Sequence, residues 1–314
     1  MRHTRVADLF KALREKLSLT HVSGDLSHSI RVTEEHVWAA DLVGHLNLIH
    51  PTRTQVVGAA ELAWAQRQPV SRTARYLSIF AQAQSPLFIV ADDMPIPLVL
   101  REMSERTGIA LLSSPSPSAS VIDLTRIYLS RELAERTELH GVFMDVFGLG
   151  VFITGDSGAG KSELALELIS RGSGLVADDV VGFSRVAPTV IEGCAPALLK
   201  DVIEVRGLGV LNIRTIFGET ACRRKMRLRL VVHMMRNVPG QPEPARLSTE
   251  QAFQEILGVP IPQVTLPVAA GRNLAVLLEA AVRAAILKMR GIDSTQDFIE
   301  RQREAMLANM AQSD

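Results

Sequence analysis

Cysteine is nearly absent from this chain. Only Cys194 and Cys222 occur, too few for a disulfide framework, and no Cys/His cluster has the spacing of a zinc site. Two isolated thiols fit a reducing compartment more easily than a secreted one. A surplus of charge is missing too. The 34 Lys and Arg balance the 34 Asp and Glu, so net charge argues neither for nor against an acidic partner. Long apolar runs are also lacking. The longest, LAVLLEAAVRAAIL, is broken by Glu279 and Arg283 and is too short to span a bilayer. The opening MRHTRVADLFKALREKL carries charges throughout, unlike a signal peptide. Its Val6, Leu9, Phe10, Leu13 and Leu17 share one helical face, which is expected to dock on a domain rather than a membrane surface. The protein is expected to be cytoplasmic, with no membrane partner.

What remains is ordinary globular material, 47% hydrophobic and 22% charged over 314 residues, a length that favours two domains. No internal repeat or long low-complexity tract is visible. The Ser/Pro-rich LLSSPSPSASVID (Leu111 to Asp123) suits neither helix nor strand and reads as a loop. A polar helix follows, DLTRIYLSRELAERTE, with Asp123 or Thr125 as its cap. A domain boundary is therefore expected near residue 130, dividing residues 1–130 from 131–314. In the first part, TQVVGAAELAWAQ, PLFIVADDMPIPLVLREMSERTG and IALL alternate short apolar runs with helical patterns, as a small α/β domain with a parallel sheet would. None of its residues has catalytic spacing. Asp92 and Asp93 read as a strand end beside a helix start.

The second part is sharper. HGVFMDV and GVFIT are strand-like runs flanking FGLG, which predicts a hairpin. The second strand feeds GDSGAGKS, and KSELALELISRG then reads as a helix ending at Gly172. GLVADDVVGF, VIEVRGLGVLNI and KMRLRLVVHMM supply further apolar segments. Two helices close the chain, the last with a capping-box start at Ser294. Gly155, Gly160, Lys161 and Ser162 satisfy G-x-x-x-x-G-K-[ST] between strand and helix, where the motif has meaning. Such a loop turns successive backbone N–H groups toward phosphate oxygens and adds the helix N-terminus. Gly155, Asp156, Ser157, Gly158, Ala159, Gly160, Lys161 and Ser162 are thus the expected nucleotide-phosphate loop. Lys161 can reach the β/γ-phosphates, and the Ser162 hydroxyl can ligate Mg²⁺.

Several acids could complete such a site. LVADD ends a strand in Asp178 and Asp179, of which only one is expected to face the loop, since neighbouring strand residues point to opposite faces. A helix cap or turn is the alternative reading of the pair. Glu204 lies in an apolar strand, where a buried acid needs a partner such as Arg206 or Mg²⁺. His140, at the start of the hairpin, has a structural reading beside a catalytic one. RRKMRLRL (Arg223 to Leu230) could meet an acidic partner, but a strand with one solvated face explains it, and no aromatics are interleaved to stack bases.

Taken together, HGVFMDVFGLGVFITGDSGAGKSELALELISRG, LVADDVV, IEVRGLGVLNIRTIFG and LPVAAGRNLAVLLEAA resemble the HPr kinase/phosphorylase family. HPTRTQVVGAAEL and GIALLSSPSPSASVIDLTRIYL extend the resemblance over nearly the whole chain. The glycine loop is generic, whereas EVRGLGVLNI with a His-initiated hairpin is specific. The resemblance implies a bifunctional enzyme that phosphorylates a serine of HPr, the phosphocarrier of the bacterial sugar phosphotransferase system. It also removes that phosphate phosphorolytically, phosphate giving pyrophosphate, and so regulates carbon metabolism. It implies a P-loop catalytic domain like that of phosphoenolpyruvate carboxykinase, ATP as substrate, Mg²⁺ as cofactor, a homohexamer, and no nucleic-acid partner. His140, Lys161, Asp179 and Arg246 match the family's catalytic residues, with Asp179 as base forwards and acid in reverse. Ser162 and Glu204 match its metal ligands. Ile203 to Asn212 and Pro267 to Arg272 match regions used for catalysis and for dephosphorylation. One departure is Ala269 and Ala270, where the family carries a basic residue and a proline. A loop without that charge and stiffness is expected to hold phosphoserine less well. Two other readings stay open: a P-loop kinase for a small metabolite, and a nucleotide-gated regulatory module whose last helix docks a partner through Phe298, Met306 and Met310.

Overall fold

The computed structural model describes residues 2–32, 38–236, 251–269 and 271–311. The chain divides into two compact units, Met1–Ala134 and Glu135–Asp314. The first runs His3–Arg5 (β1), Val6–Leu17 (α1), Thr20–Ser23 (β2), Ser29–Arg31 (β3), Val43–His45 (β4), Thr54–Val57 (β5), Ala59–Gln66 (α2), Val70–Gln82 (α3), Leu87–Val90 (β6), Leu98–Thr107 (α4), Ala110–Ser113 (β7) and Ser118–Glu132 (α5). Strands β4 to β7 are parallel, and β2 joins β7 antiparallel at the edge. Helices cover both faces, so β5 and β6 are buried throughout rather than alternating. Leu87 and Ile89 of β6 pack with α1 and α5, while Phe88 and Val90 pack with Phe80 of α3 and Met103 of α4. The expected face of α1 is the buried one: Val6, Leu9, Leu13 and Leu17 enter the core, with Phe10 packed at its margin. Each such side chain contributes about 1.5–3 kcal/mol of burial.

The Ser/Pro-rich stretch is not one loop. Leu111 to Ser113 ends β7, and α5 begins at Ser118, so Asp123 and Thr125 lie inside the helix rather than capping it. The cap comes from elsewhere in the chain. Asp92 Oδ1 accepts from Ser118 N at 2.6 Å, and its Oδ2 accepts from Ala59 N at 2.8 Å. One carboxylate therefore serves the N-termini of two helices, α5 and α2. The left-handed backbone of Asp92 (φ 60°) and Asp93 (φ 54°) aims it there, in a conformation Asp tolerates better than most residues.

The second unit runs Glu135–His140 (β8), Val142–Val146 (β9), Leu149–Gly155 (β10), Lys161–Ser170 (α6), Gly174–Ala177 (β11), Val180–Ala187 (β12), Val190–Cys194 (β13), Val202–Val205 (β14), Gly209–Asn212 (β15), Ile213–Phe217 (α7), Met226–Arg236 (β16), Ala252–Ile256 (β17), Val259–Val268 (β18), Leu274–Met289 (α8) and Ser294–Ala311 (α9). β9 and β10 form the expected hairpin around Phe147 and Gly148, both at positive φ as a tight two-residue turn requires. β10, β16 and β18 are parallel neighbours in the central sheet; β14 and β15 make a separate hairpin. One face of the sheet packs on α6 and α8 through Val151, Ile153, Val232, Leu168 and Leu278. The other carries Phe143, Phe152 and Phe183 in edge-to-face contact.

Both charges that interrupt the apolar run of α8 have partners. Glu279 takes a two-pronged bond from Arg171 at 2.8 Å, tying α8 to the end of α6. Arg283 lies 4.1 Å from the ring centre of Phe147, at the hairpin tip. The last helix is capped one residue earlier than expected. Asp293, not Ser294, accepts from Thr295 N and Gln296 N. Phe298 and Met306 are exposed along it, and the Met310 side chain is outside the described residues. Among the described residues no helix is long and apolar enough to cross a membrane.

The two amide bonds to Asp92, that of Ala59 foremost, hold its carboxyl below the usual carboxylate range. Its contribution is therefore present above the ordinary Asp value and lost as pH falls through the depressed one. Asp92→Ala is expected to destabilise the first unit by about 1–3 kcal/mol. The reading is a lower Tm at pH 7, with the gap to wild type closing below about pH 4. Asp92→Asn keeps an acceptor and the backbone preference, and should lose less.

Candidate active site

The phosphate loop is held between β10 and α6, whose packing fixes where one ends and the other begins. Gly155 must be glycine, because a methyl group there would lie 2.5 Å from the carbonyl oxygen of Met234 on β16. Gly160 has φ 88° and turns the chain into α6. Ala159 is buried beneath the loop, while Asp156, Ser157 and Gly158 are exposed at its tip. Lys161 folds back over the loop, donating from Nζ to the carbonyls of Gly155 at 2.8 Å and Asp156 at 2.9 Å. A phosphate oxygen competing for that ammonium would take it from neutral carbonyl acceptors, a favourable exchange for a cation.

The two acids of LVADD part company. Asp178 is 4% exposed. It accepts from Ser162 Oγ at 3.2 Å through Oδ1 and from Glu204 N at 2.9 Å through Oδ2. Burial pushes its carboxyl above the usual range, against the opposing effect of those two donors. Asp179 has φ 66° and turns outward, its carbonyl accepting from Gly141 N at 3.0 Å. That bond, with the pairing of His140 and Val180 across β8 and β12, sets Asp179 Oδ1 3.8 Å from His140 Nδ1. Both side chains are largely exposed, so this pair faces solvent while Asp178 faces the loop. The aspartate that touches Ser162 is therefore Asp178. The sequence signal for it was the doubled acid itself, which does not say which member turns inward.

Glu204 departs from expectation. It is exposed, because β14 alternates: Ile203 and Val205 are buried, and Glu204 and Arg206 occupy the wet face of a two-stranded hairpin. It needs no buried partner, and Arg206 turns instead toward Gly158. Its backbone amide, through Asp178, still links it to Ser162. Ile203 to Asn212 form this hairpin, with Leu208 and Val210 exposed beside its tip. Pro267 to Arg272, apart from Ala270 outside the described residues, end β18 and lead into α8. That turn borders a cleft of ≈ 470 Å³ alongside the loop, lined by Gly160, Glu163, Leu164, Arg272 and Leu274 among others. Arg246 lies outside the described residues. In the basic run, Arg223 pairs with Asp145 at 2.7 Å and Lys225 with Glu192 at 2.6 Å, so part of its charge is committed inside the unit.

Comparison with known proteins adds to this geometry. The model of the HPr Serine kinase C-terminal domain matches residues 131–302, and that of the HPr Serine kinase N terminus matches residues 4–129. The chain belongs to the HPr serine kinase family. Relatives named HPr kinase/phosphorylase include one from Aromatoleum aromaticum, 65% identical over 98% of this chain and 98% of its own. One from an Azoarcus species is 64% identical over 98% and 99%, and one from Bordetella petrii is 51% identical over 96% and 98%. A solved structure of the Hpr(Ser) kinase/phosphatase from Coxiella burnetii is 32% identical, covers 52% of this chain and 98% of its own, and gives a TM-score of 0.47.

In this member of the HPr serine kinase family, the raised Asp178 carboxyl has a consequence for stability. A carboxyl whose folded-state value exceeds its unfolded one contributes most below the ordinary carboxylate range, and that contribution is lost as pH rises through the raised value. An asparagine can accept from Glu204 N and donate to the Ser162 hydroxyl without burying a charge. In chelator, Asp178→Asn should gain stability relative to wild type between pH 4 and 7, by about 1 kcal/mol or roughly 2–4 °C in Tm. Parallel Tm curves for the two proteins would contradict this.

Proposed function

We propose that this chain transfers the γ-phosphoryl group of ATP to a serine hydroxyl of HPr, and that it runs the reverse reaction with inorganic phosphate to give pyrophosphate. The names of its relatives support the acceptor, and the loop supports the donor. The observation that carries the reading is the division of labour between adjacent acids. Asp178 holds Ser162 at the phosphate loop while Asp179, one residue on, presents an exposed carboxylate beside His140.

A serine hydroxyl is protonated at neutral pH, so its attack on phosphorus is helped by a carboxylate accepting the proton. In the forward direction the serine oxygen forms a bond to the γ-phosphorus, the bond to the β–γ bridging oxygen breaks, and ADP leaves with that electron pair. Asp179 receives the serine proton. In reverse, protonated Asp179 returns it to the departing serine oxygen while phosphate in the loop takes the phosphoryl group. Lys161 would leave the two carbonyls and meet the β/γ-phosphates, and His140 would orient Asp179. Arg246 enters on resemblance alone.

The oxygen-only donors at Ser162, Asp178 and Glu204 fit a hard cation such as Mg²⁺, with Ser162 and Glu204 the proposed ligands. Among the described residues no group of three or more His, Cys, Asp or Glu side chains gathers into a metal cage. When bound, Mg²⁺ would neutralise charge on the β- and γ-phosphoryl oxygens. A homohexameric, cytoplasmic protein, with the second unit as catalytic domain, belongs to the same proposal.

The test is incubation with ATP, Mg²⁺ and HPr from the same host, followed by mass spectrometry of HPr. Phosphoserine on HPr is expected, absent with Lys161→Ala. Asp179→Asn should lower transfer by about 10²–10⁴-fold with ATP affinity little changed. Full activity in that variant would remove Asp179 from proton transfer. ATP consumption with an unlabelled HPr would replace the acceptor.

A further inference from the structure

Two cations outside the glycine motif converge on the tip of the phosphate loop. Arg236, the last residue of β16, donates from Nη2 to the carbonyl oxygen of Gly158. Arg206, on the tip of the β14–β15 hairpin, approaches from another element. A methyl group built on Gly158 would lie 3.2 Å from Arg236 Nη2 and 3.9 Å from both Nη1 and Nη2 of Arg206. Both guanidiniums thus reach within 4 Å of one point above the loop. Neither has a carboxylate partner among the described residues, although Arg171, Arg214 and Arg223 of the same unit do. Like charges drawn to one point and left without an acid call for an anion between them. The point lies at the exposed tip of the loop, one turn of chain before Lys161 and Ser162.

We infer that Arg206 and Arg236 form a two-sided clamp on the terminal phosphoryl group. In the forward direction its ligand is the γ-phosphoryl of ATP; in reverse it is the phosphoryl group of phosphoserine, while the attacking inorganic phosphate takes the place of the β-phosphate. This rests on the nucleotide reading of the loop and names the residues that hold the transferred group. Guanidinium suits the task, since its planar fork can bond two equatorial phosphoryl oxygens at once and stays charged at any working pH. Charge spreads onto those oxygens in the transition state, where such a group is most effective. Arg236 would exchange the neutral Gly158 carbonyl for a phosphoryl oxygen, as Lys161 does with the carbonyls of Gly155 and Asp156. Neither arginine is needed for the β-phosphate, which the loop amides and Lys161 hold.

The clamp is tested by comparing affinity for ADP with affinity for its γ-phosphate-bearing imido analogue, in Mg²⁺, by calorimetry. Wild type should prefer the analogue. Arg236→Ala and Arg206→Ala should each reduce that preference by about tenfold while ADP affinity stays within about twofold. Arg236→Lys can still donate to the Gly158 carbonyl but lacks the fork; it should keep wild-type Tm and lose most of the preference, guarding against a merely folding-defective alanine variant. An unchanged preference, or an equal loss for both nucleotides, would overturn the clamp and leave Arg236 as a brace for the loop. The two readings fail separately. A wild type that binds neither nucleotide defeats the nucleotide reading and the clamp with it, whereas one that binds both but labels no HPr defeats only the acceptor.

Discussion

The buried carboxylate of Asp178 is the constraint on which the site depends. It accepts from the first turn of α6 at Ser162 and from the β14–β15 hairpin at Glu204 N, and so joins elements that share no strand pairing. Without it the hairpin would be held to the core by side-chain packing such as that of Ile203, Val205 and Leu211, which is indifferent to small displacements along the helix. A hydrogen bond has direction, and the Glu204 amide aimed at Asp178 sets the register of the hairpin against the loop. The same bond determines where Arg206 can reach. The cost of this join is a carboxyl kept out of water, and its raised protonation range records that cost.

From that one residue the chain reverses. The left-handed conformation at Asp179 prevents β11 from continuing straight into β12 and separates two acids that an extended strand would merely alternate. One becomes a structural anchor with limited access to water; the other becomes a solvent-facing carboxylate next to His140. Buried and exposed carboxylates differ in how readily they exchange protons with an incoming hydroxyl. A group that must pass a proton to or from a protein substrate belongs at the surface, since a macromolecular acceptor cannot enter a cavity. The exposure of His140 and Asp179 is thus consistent with a protein acceptor, and a closed metabolite pocket would place them otherwise.

Much of this was legible in the sequence where local rules decide. The strand–loop–helix around Lys161, the hairpin at Phe147–Gly148 and the buried face of α1 follow from periodicity and turn chemistry over fewer than twenty residues. The start of α5 did not. Its cap, Asp92, stands 26 residues upstream, and no local pattern announces a carboxylate shared by two helices. Glu204 was misread for a related reason. An apolar strand usually implies burial on both faces, yet a detached two-stranded hairpin has only one face against the core. Which member of Asp178–Asp179 faces the loop depends on a positive φ that Asp tolerates but does not demand.

The placement of charge around the loop follows from keeping acids and cations apart. The carboxylate of Asp178 sits at Ser162 and that of Asp179 beside His140, while Arg206 and Arg236 reach the exposed tip at Gly158. Had an arginine met one of these acids, each would have satisfied the other and neither would be free for a ligand. The separation is enforced by scaffold rather than by distance along the chain: Glu204 on β14 and Arg206 at the tip just beyond it are two residues apart, yet Arg206 turns to the loop. A phosphoryl group moving between a nucleotide and a serine must have cation on its oxygens and base beside its acceptor at one moment. A site whose fold keeps those groups unpaired with each other has already met the electrostatic cost of arranging them, which is the condition for the proposed transfer in either direction.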